Sequence, residues 1–392
     1  MTDIIGKLPA PEQEAVLKIS QLAKQEGGSA FLVGGCVRDA LTGSVSKDVD
    51  VEVFGIAPDT LQTVLARHFD LDLVGASFGV IKLHHLNVDV SLPRSESKIG
   101  TGHRGFEISS NPRLSIAEAS SRRDFTINAI YCNPLTGELI DQWNGLHDIE
   151  NSILRHVSES FCDDPLRVLR GMQFVARFDL RPDPSTVELC RTITPEGLAK
   201  ERQFDEWSKL LLKGRSISAG LDFLRRTGWV EYYPELAALI GCMQNPKWHA
   251  EGDVWNHTCR CLDAFAAKRI GDDNEDLVVG LAVLCHDFGK PATTVLIDGD
   301  YRSPGHDVQG LDPTLSFLRR LTNEERILRE VPPLVTQHMQ PYALCSSNAG
   351  DGAVRRLALR VGRVDRLIRV GQADRDGQIV LDEKGGNKTC HD

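Results

Sequence analysis

Residues 31–55, FLVGGCVRDALTGSVSKDVDVEVFG, decide the fold. Residues 30–33 read as a short buried strand stopped by Gly34-Gly35, and residues 49–54 read as a second strand. Strand side chains alternate with period two, so Asp48 and Asp50 share a face and both carboxylates can reach one metal pair. Hard cations such as Mg²⁺ held there can acidify an attacking hydroxyl and neutralise charge on a leaving pyrophosphate. The N–H groups of Gly34 and Gly35, with no Cβ in the way, can approach a triphosphate, and Arg38 can add a forked contact. A D-x-D pair is also common on solvated strands, so this segment alone supports only metal-assisted transfer of a phosphorylated group.

Outward from this segment, residues 10–26 and 59–69 read as helices, and residues 79–92 as a hairpin turning at His84-His85. Asp89, on the second hairpin strand, is a candidate third carboxylate. From about residue 148 the strand signals fade and helix follows helix. The expected fold is therefore α+β: a head with a mixed sheet over residues 1–147, a helical neck and body over 148–240, and an all-α domain over 241–392.

A length of 392 residues favours more than one domain, and the absence of a long apolar run or a leader-like start predicts a cytoplasmic chain with no membrane contact. The ten cysteines are scattered, the closest pair being Cys259 and Cys261, and are expected to be reduced. A net charge of −10 argues against nonspecific coating of nucleic acid but leaves room for a local basic groove. Residues 354–370 offer one: on a single helix Leu357, Val361, Val364 and Ile368 would form an apolar stripe, opposite Arg355, Arg356, Arg360, Arg363, Arg366 and Arg369. A solvated helix face is the favoured reading, with RNA-backbone contact as the other.

Three further motifs follow in order: SRRDFTINAIY (121–131), IDQWNGLHDIENSILRHV (140–157) and FCDDPLRVLRGMQFVARF (161–178). With the D-x-D segment, this set resembles the class II tRNA nucleotidyltransferase and poly(A) polymerase family of the polymerase-β superfamily, over roughly the first 210 residues. The resemblance implies a polymerase-β-like nucleotidyltransferase head. It assigns Arg123 and Asp124 to phosphate and ribose hydroxyls, while Asn128 is read as stabilising a turn. It assigns Asp164 and Arg167, three apart, to the edge of cytosine or adenine, with Arg170 one step further along. An acceptor beside a donor fork suits the exocyclic amine and adjacent ring nitrogen of those two bases and mismatches uracil and guanine. Without that resemblance, Asp163-Asp164-Pro165 would read as an acidic helix start with a salt bridge.

Two positions depart from the family pattern. Asp163 replaces a glutamate, and Gln173 stands where an arginine is often found, so no contact is carried over to it. The region VGASFGVIKL (74–83) lacks the arginine-rich stretch of poly(A) polymerases, and residues 93–121, with Arg94, Glu96 and Arg104, keep the long segment of complete CCA-adding enzymes. KERQFDEW (200–207), with Glu201, Arg202 and Glu206, resembles the neck-stabilising motif. The expected activity is CCA addition to tRNA from CTP and ATP. A poly(A) polymerase, or a CC-only or A-only enzyme, is the rival within the family.

Near residue 240 the character changes. His257, LCHDFGKP with His286-Asp287, and Asp374 resemble the HD superfamily of metal-dependent phosphohydrolases, with His306 and His338 as further ligands of a divalent transition metal. Lys290 could steady a phosphate, whereas His249 reads as an ordinary satisfied histidine. The resemblance implies phosphodiesterase or phosphatase activity on RNA-end phosphates. A phosphohydrolase whose head only binds tRNA is the rival of a different class. Oligomeric state is not legible, and the ending GGNKTCHD (385–392) leaves open a tail with further tRNA contacts.

Overall fold

The computed structural model describes residues 3–46, 48–72, 79–98, 106–381 and 387–388. The fold is α+β, in two compact units: Met1–Arg167 with Arg181–Leu189, and Val168–Leu180 with Cys190–Asp392.

The first unit starts with α1 (Ala10–Gln25), β1 (Ser29–Val33), α2 (Gly35–Leu41), β2 (Val49–Phe54) and α3 (Pro58–Ala66). Next come β3 (Leu71–Asp72), β4 (Val80–Leu83), β5 (Val88–Ser91), β6 (Arg94–Lys98), β7 (Phe106–Ser110) and α4 (Ile116–Ser121). After these lie β8 (Ile130–Cys132), β9 (Leu139–Asp141) and α5 (Gly145–Glu150), and α6 (Leu166–Phe178) runs on into the second unit. Seven strands form a mixed sheet in the order β3-β4-β5-β2-β1-β8-β9, in which only β2 and β5 pair in parallel. The alternation in VDVEVF explains the two faces of β2. Val49, Val51 and Val53 join Val16, Ile19, Leu65, Val88 and Val90 in the main core, while Asp50 and Glu52 point to the other face. That face has its own small core of Phe31, Phe54 and Tyr131, whose rings meet edge-on at 5.7–6.2 Å.

The long segment over residues 93–121 contains the antiparallel pair β6 and β7, and then α4, whose start is fixed by a capping box between Ser115 and Glu118. Arg104, and residues 74–78 of VGASFGVIKL, lie outside the described residues.

The second unit is helical apart from short hairpins such as Val295–Ile297 with Asp300–Arg302. Its central helix, Asp273–Cys285, is buried from Asp276 to Cys285 without a solvent face, as expected of a helix apolar all round. Asp272 caps its start and His286-Asp287 follow its last turn. Residues 354–370 do not form one helix. Gly362, at φ 69°, separates Asp351–Val361 from Val364–Gly377, so the expected stripe breaks: Leu367 and Val370 are buried and Ile368 is 53% exposed.

Candidate active site and metal centre

The register of the head sheet brings the first set of residues together. Val33 pairs with Asp50 on one side and Tyr131 on the other, and Asp50 pairs with Asp89 across the parallel β2/β5 ladder. Val33, Asp50 and Asp89 edge a cavity of about 300 Å³ that Glu52, Arg122 and Arg123, among others, also line. Gly34, at φ 78°, forms the turn beside it; a Cβ there would stand 3.3 Å from Asp50 Oδ2 and 3.6 Å from Arg123 Nη1. A side chain would therefore enter the space where carboxylate and guanidinium face each other, in a backbone conformation that favours glycine. Asp48 is exposed, just before β2.

Asp50 is exposed too, along the cavity wall; the protein packed around its carboxyl still pushes it up, Arg123 counters this, and the charges of Asp89, Asp48 and Glu52 add to it. Asp50 and Asp89, side by side in the parallel ladder, are the two carboxylates whose oxygen donors suit a shared divalent ion, with Asp48 at the start of the same strand. Asp89 is also 3.2 Å from Lys82 Nζ.

Glu52 was not anticipated, although it continues the parity of Asp48 and Asp50. It is buried, accepts a 2.6 Å hydrogen bond from the Tyr131 hydroxyl, and lies 3.3 Å from Arg123 Nη2 and 3.7 Å from Arg122 Nη2. It thus anchors the two arginines of the RRD motif beside the cavity.

Arg38 is buried with its fork turned to its neighbours. Nε and Nη2 donate to Asp39, Nη1 donates to Asn128 Oδ1 at 2.7 Å, and Asn128 Nδ2 donates to Asp124 Oδ1 at 2.9 Å. This chain ties α2 to the RRD loop, and Asp124 also accepts from the Phe125 N–H. IDQWNGLHDIENSILRHV supplies scaffold: Asp141 accepts from the Gly145 and Leu146 N–H groups, and buried Asp148 accepts from Thr126 and Arg155.

Asp164 accepts from the Leu166 N–H and starts α6. Arg167 donates from Nη1 to the Ser160 carbonyl at 2.6 Å and from Nη2 to the Arg122 carbonyl at 2.5 Å, so it holds the backbone of the RRD loop. Arg170, in the second unit, lies over the Phe174 ring and 3.9 Å from buried Glu206. Gln173 is buried and accepts from Arg177.

The second set converges inside the helical unit. His257 comes from the Val254–Ala267 helix, His286 and Asp287 from the end of the central helix, and Asp374 from the Val364–Gly377 helix. His306 starts His306–Gln309, and His338 follows Glu325–Thr336. The Nδ1 atoms of His286, His306 and His338 bond the carbonyls of Val283, Ser303 and Val335, and that of His257 bonds Glu251 at 2.9 Å. Each Nε2 is thereby aimed into the cluster, as an outer shell does in metal sites.

His257 Nε2 is 3.4 Å from His286 Nε2 and 3.0 Å from Asp374 Oδ1, while His306 Nε2 is 3.3 Å from His338 Nε2 and 3.5 Å from Asp287 Oδ1. Burial first, and then His286, depress His338 to about 4, so its imidazole is neutral and able to coordinate. Burial opposes ionisation of Asp374, but the hydrogen bond from His257 and the neighbouring imidazoles outweigh it and hold the carboxyl low. Mixed imidazole and carboxylate donors fit a divalent transition metal. Lys290 is buried, 2.7 Å from Asp287 Oδ2 and 2.6 Å from Gln244 Oε1. His249 donates from Nδ1 to Glu251 Oε1 at 2.8 Å, and with Glu251 and His257 it forms a further group of possible metal donors beside the cluster.

Sequence reading missed Glu251 and Cys261. Nothing in the spacing points to Glu251, but Cys261, four residues after His257, shares its helix face.

The poly A polymerase head domain model matches residues 30–155, the stretch that carries the head sheet. The multifunctional CCA protein of Acinetobacter baumannii is 32% identical over 366 residues, covering 90% of this chain and 85% of its own length. That of Stenotrophomonas maltophilia is 33% identical over 367 residues, covering 90% and 87%. The chain belongs to the family of CCA-adding enzymes. In fold it is similar to the Thermotoga maritima CCA-adding enzyme complexed with tRNA, at TM-score 0.63 and 19% identity over 95% of this chain and 80% of that one. The Bacillus stearothermophilus CCA-adding enzyme in complex with CTP gives 0.62 at 23% identity, over 93% and 78%. Among the described residues no helix is long and apolar enough to cross a membrane.

Proposed function

We propose that this chain builds or repairs the 3′-terminal CCA of tRNA from CTP and then ATP, at the cavity over β2 and β5. The observation that carries the reading is the in-register Asp50/Asp89 pair facing Arg123 across the space that Gly34 leaves open. Asp48, Asp50 and Asp89 would hold Mg²⁺, which when bound acidifies the terminal hydroxyl and neutralises the leaving diphosphate. The 3′ oxygen attacks the α-phosphorus, a new P–O bond forms, and the α–β bridge bond breaks. Gly34 and Gly35 admit the triphosphate, Arg123 balances its charge, and Asp124 accepts from the ribose. Asp164 accepts from the exocyclic amine of cytosine or adenine, Arg167 donates to the adjacent ring nitrogen from the N–H bonds that the Ser160 and Arg122 carbonyls leave over, Arg38 holds the RRD loop through Asn128, and Arg170 supports α6.

We further propose that the second unit is a phosphohydrolase acting on 2′,3′-cyclic or terminal phosphates of RNA ends. Its support is the set of Nε2 and carboxylate atoms converging between buried helices. His257, His286, Asp287, His306, His338 and Asp374 would hold divalent transition metal, which when bound supplies Lewis acidity and a water reactive at neutral pH. Lys290 holds Asp287 in place.

Purified protein with Mg²⁺ and tRNA lacking CCA, CA or A, given CTP and ATP separately and together, tests the first proposal. Additions that stop at CCA support it. A long A ladder would assign a poly(A) polymerase, and no incorporation on any primer would leave only the hydrolase.

A further inference from the structure

The two halves of the arginine-rich run differ in what they face. Arg363, Arg366 and Arg369 are neutralised by Glu275, Glu330 and Asp276 from other helices. Arg355, Arg356 and Arg360, on the Asp351–Val361 helix, are exposed and make no ion pair among the described residues. At about 3.6 residues per turn these three and Leu359 span about 140° of the helix surface, and Arg355 stands about 7.5 Å from Arg360 along the axis. Leu357 and Val361 are buried on the opposite side. A face kept for solubility mixes charges of both signs. This one sets a nearly bare Leu359 among its cations, and the only acid of the helix, Asp351 at its start, pairs with none of them.

The neighbours of this helix belong to the metal centre. It packs against Glu325–Thr336, which His338 follows, and against Val364–Gly377, which carries Asp374. It also packs against Gln340–Ser346, which starts two residues after His338 and carries Tyr342, 76% exposed. Cations that track a backbone, with an aromatic face for a base, hold single-stranded RNA without regard to sequence. On a chain of net charge −10, three unneutralised arginines on one face favour an anionic partner. The ordinary alternative is three solvated arginines, which accounts for neither the bare leucine nor the bare tyrosine beside them.

Building on the phosphohydrolase reading of the second unit, we infer that Arg355, Arg356, Arg360 and Tyr342 form the surface that grips the single-stranded 3′ end of the RNA whose terminal phosphate enters the metal centre. The three guanidinium groups bind phosphates of the strand, Leu359 lies among them against the sugars, and Tyr342 stacks on a base. All of these contacts go to groups that every nucleotide has, so the surface selects an RNA end over a mononucleotide and is blind to its sequence.

Binding and hydrolysis by the full chain, without CTP or ATP, test this. The binding probe is a labelled RNA of about eight nucleotides with a 3′-hydroxyl end, titrated at several salt concentrations. Reversing all three arginines to glutamate should weaken binding tenfold or more and lower the salt slope by about 2, while Lys24→Glu, exposed on α1, should change neither. Tyr342→Ala should weaken binding roughly tenfold and leave the slope alone. In hydrolysis, the KM for an oligonucleotide ending in a 2′,3′-cyclic phosphate, divided by that for 2′,3′-cyclic AMP, should rise about tenfold in the triple variant, because the mononucleotide has no further phosphate or base to offer. Unchanged affinity and slope would overturn the inference, as would a KM ratio that stays fixed while binding weakens. A triple variant that changes sedimentation but not RNA binding would also overturn it, making the face a contact between copies. A wild type that binds RNA through this face but hydrolyses neither substrate would instead overturn the phosphohydrolase reading. Should the triple variant fail to fold, Arg355→Ala alone should lower the slope by about 0.7.

Discussion

Asp50 sits where stability and activity pull apart. The protein packed around it and the neighbouring carboxylates raise its pKa in the folded chain, with Arg123 opposing. For an acid raised on folding, stability is fullest below the unfolded pKa and is lost as pH rises through the folded one. Asp50→Asn should therefore raise the thermal midpoint at pH 7 while lowering nucleotide addition by about a thousandfold. A variant that is both inactive and destabilised would argue against Asp50 as a metal-facing carboxylate. Gly34→Ala is the complementary case, because it puts a Cβ 3.3 Å from Asp50 Oδ2 at φ 78°. It should cost about 1 kcal/mol in denaturant melts and raise the KM for nucleotide. The turn at Gly34 and the strand positions of Asp50 and Asp89 were legible because a glycine turn and a period of two are local patterns, but the parallel register that sets Asp89 beside Asp50 was not. Glu52 had the same parity but gained its meaning from Tyr131, 79 residues away. The donors of Arg38 and Arg167 go to Asn128 and to loop carbonyls, which only the folded chain brings near.

At the scale of elements, β1, β2 and the hairpin of β4 and β5 could be read from alternation, whereas β3 and β6 to β9, short or set in polar sequence, could not; the central helix shows no polar face. The arginine-rich run could not be read either. Its helices part at Gly362, and Arg366 is buried between Glu275 and Glu330, at 2.7 Å from each. Arg363 also pairs with Glu275, and Arg369 with Asp276. Those partners come from other helices, so no local pattern announces them. This half of the run is scaffold, whereas Arg355, Arg356 and Arg360 remain exposed beside Leu359, which is 86% exposed. The hydrogen bond from Arg366, with Arg363 adding to it, brings Glu275 down to about 2. An acid lowered on folding contributes stability above its unfolded pKa, near 4.3, and loses it as pH falls through about 2. Glu275→Gln should destabilise the chain at pH 7 by about 1 kcal/mol, with the gap to wild type closing in urea melts towards pH 2. Arg366→Ala, which strands two acids, should cost more, about 2–4 kcal/mol. Equal melts at pH 7 would mean that the cluster is only a solvated surface network.

For the whole molecule the question is whether two chemistries share one chain without sharing groups. The carboxylate cavity lies wholly within Met1–Arg167, and the histidine cluster wholly within Cys190–Asp392. Their donor sets also differ. Oxygen donors alone favour Mg²⁺, which the cell supplies in excess and which a transition-metal chelator binds weakly. Imidazole donors favour ions that such a chelator removes. Phenanthroline added at constant Mg²⁺ should therefore abolish hydrolysis of a 2′,3′-cyclic RNA end to its phosphomonoester and leave CCA addition within about twofold, because nothing in the head site needs a nitrogen-bound metal. His286→Ala should reproduce the chelator, and Asp50→Asn should give the opposite pattern. A chelator that silenced both activities in a protein whose circular dichroism and thermal midpoint were unchanged would place one metal requirement under both reactions. In that case the histidine cluster would have to be read as part of the machinery that extends the RNA.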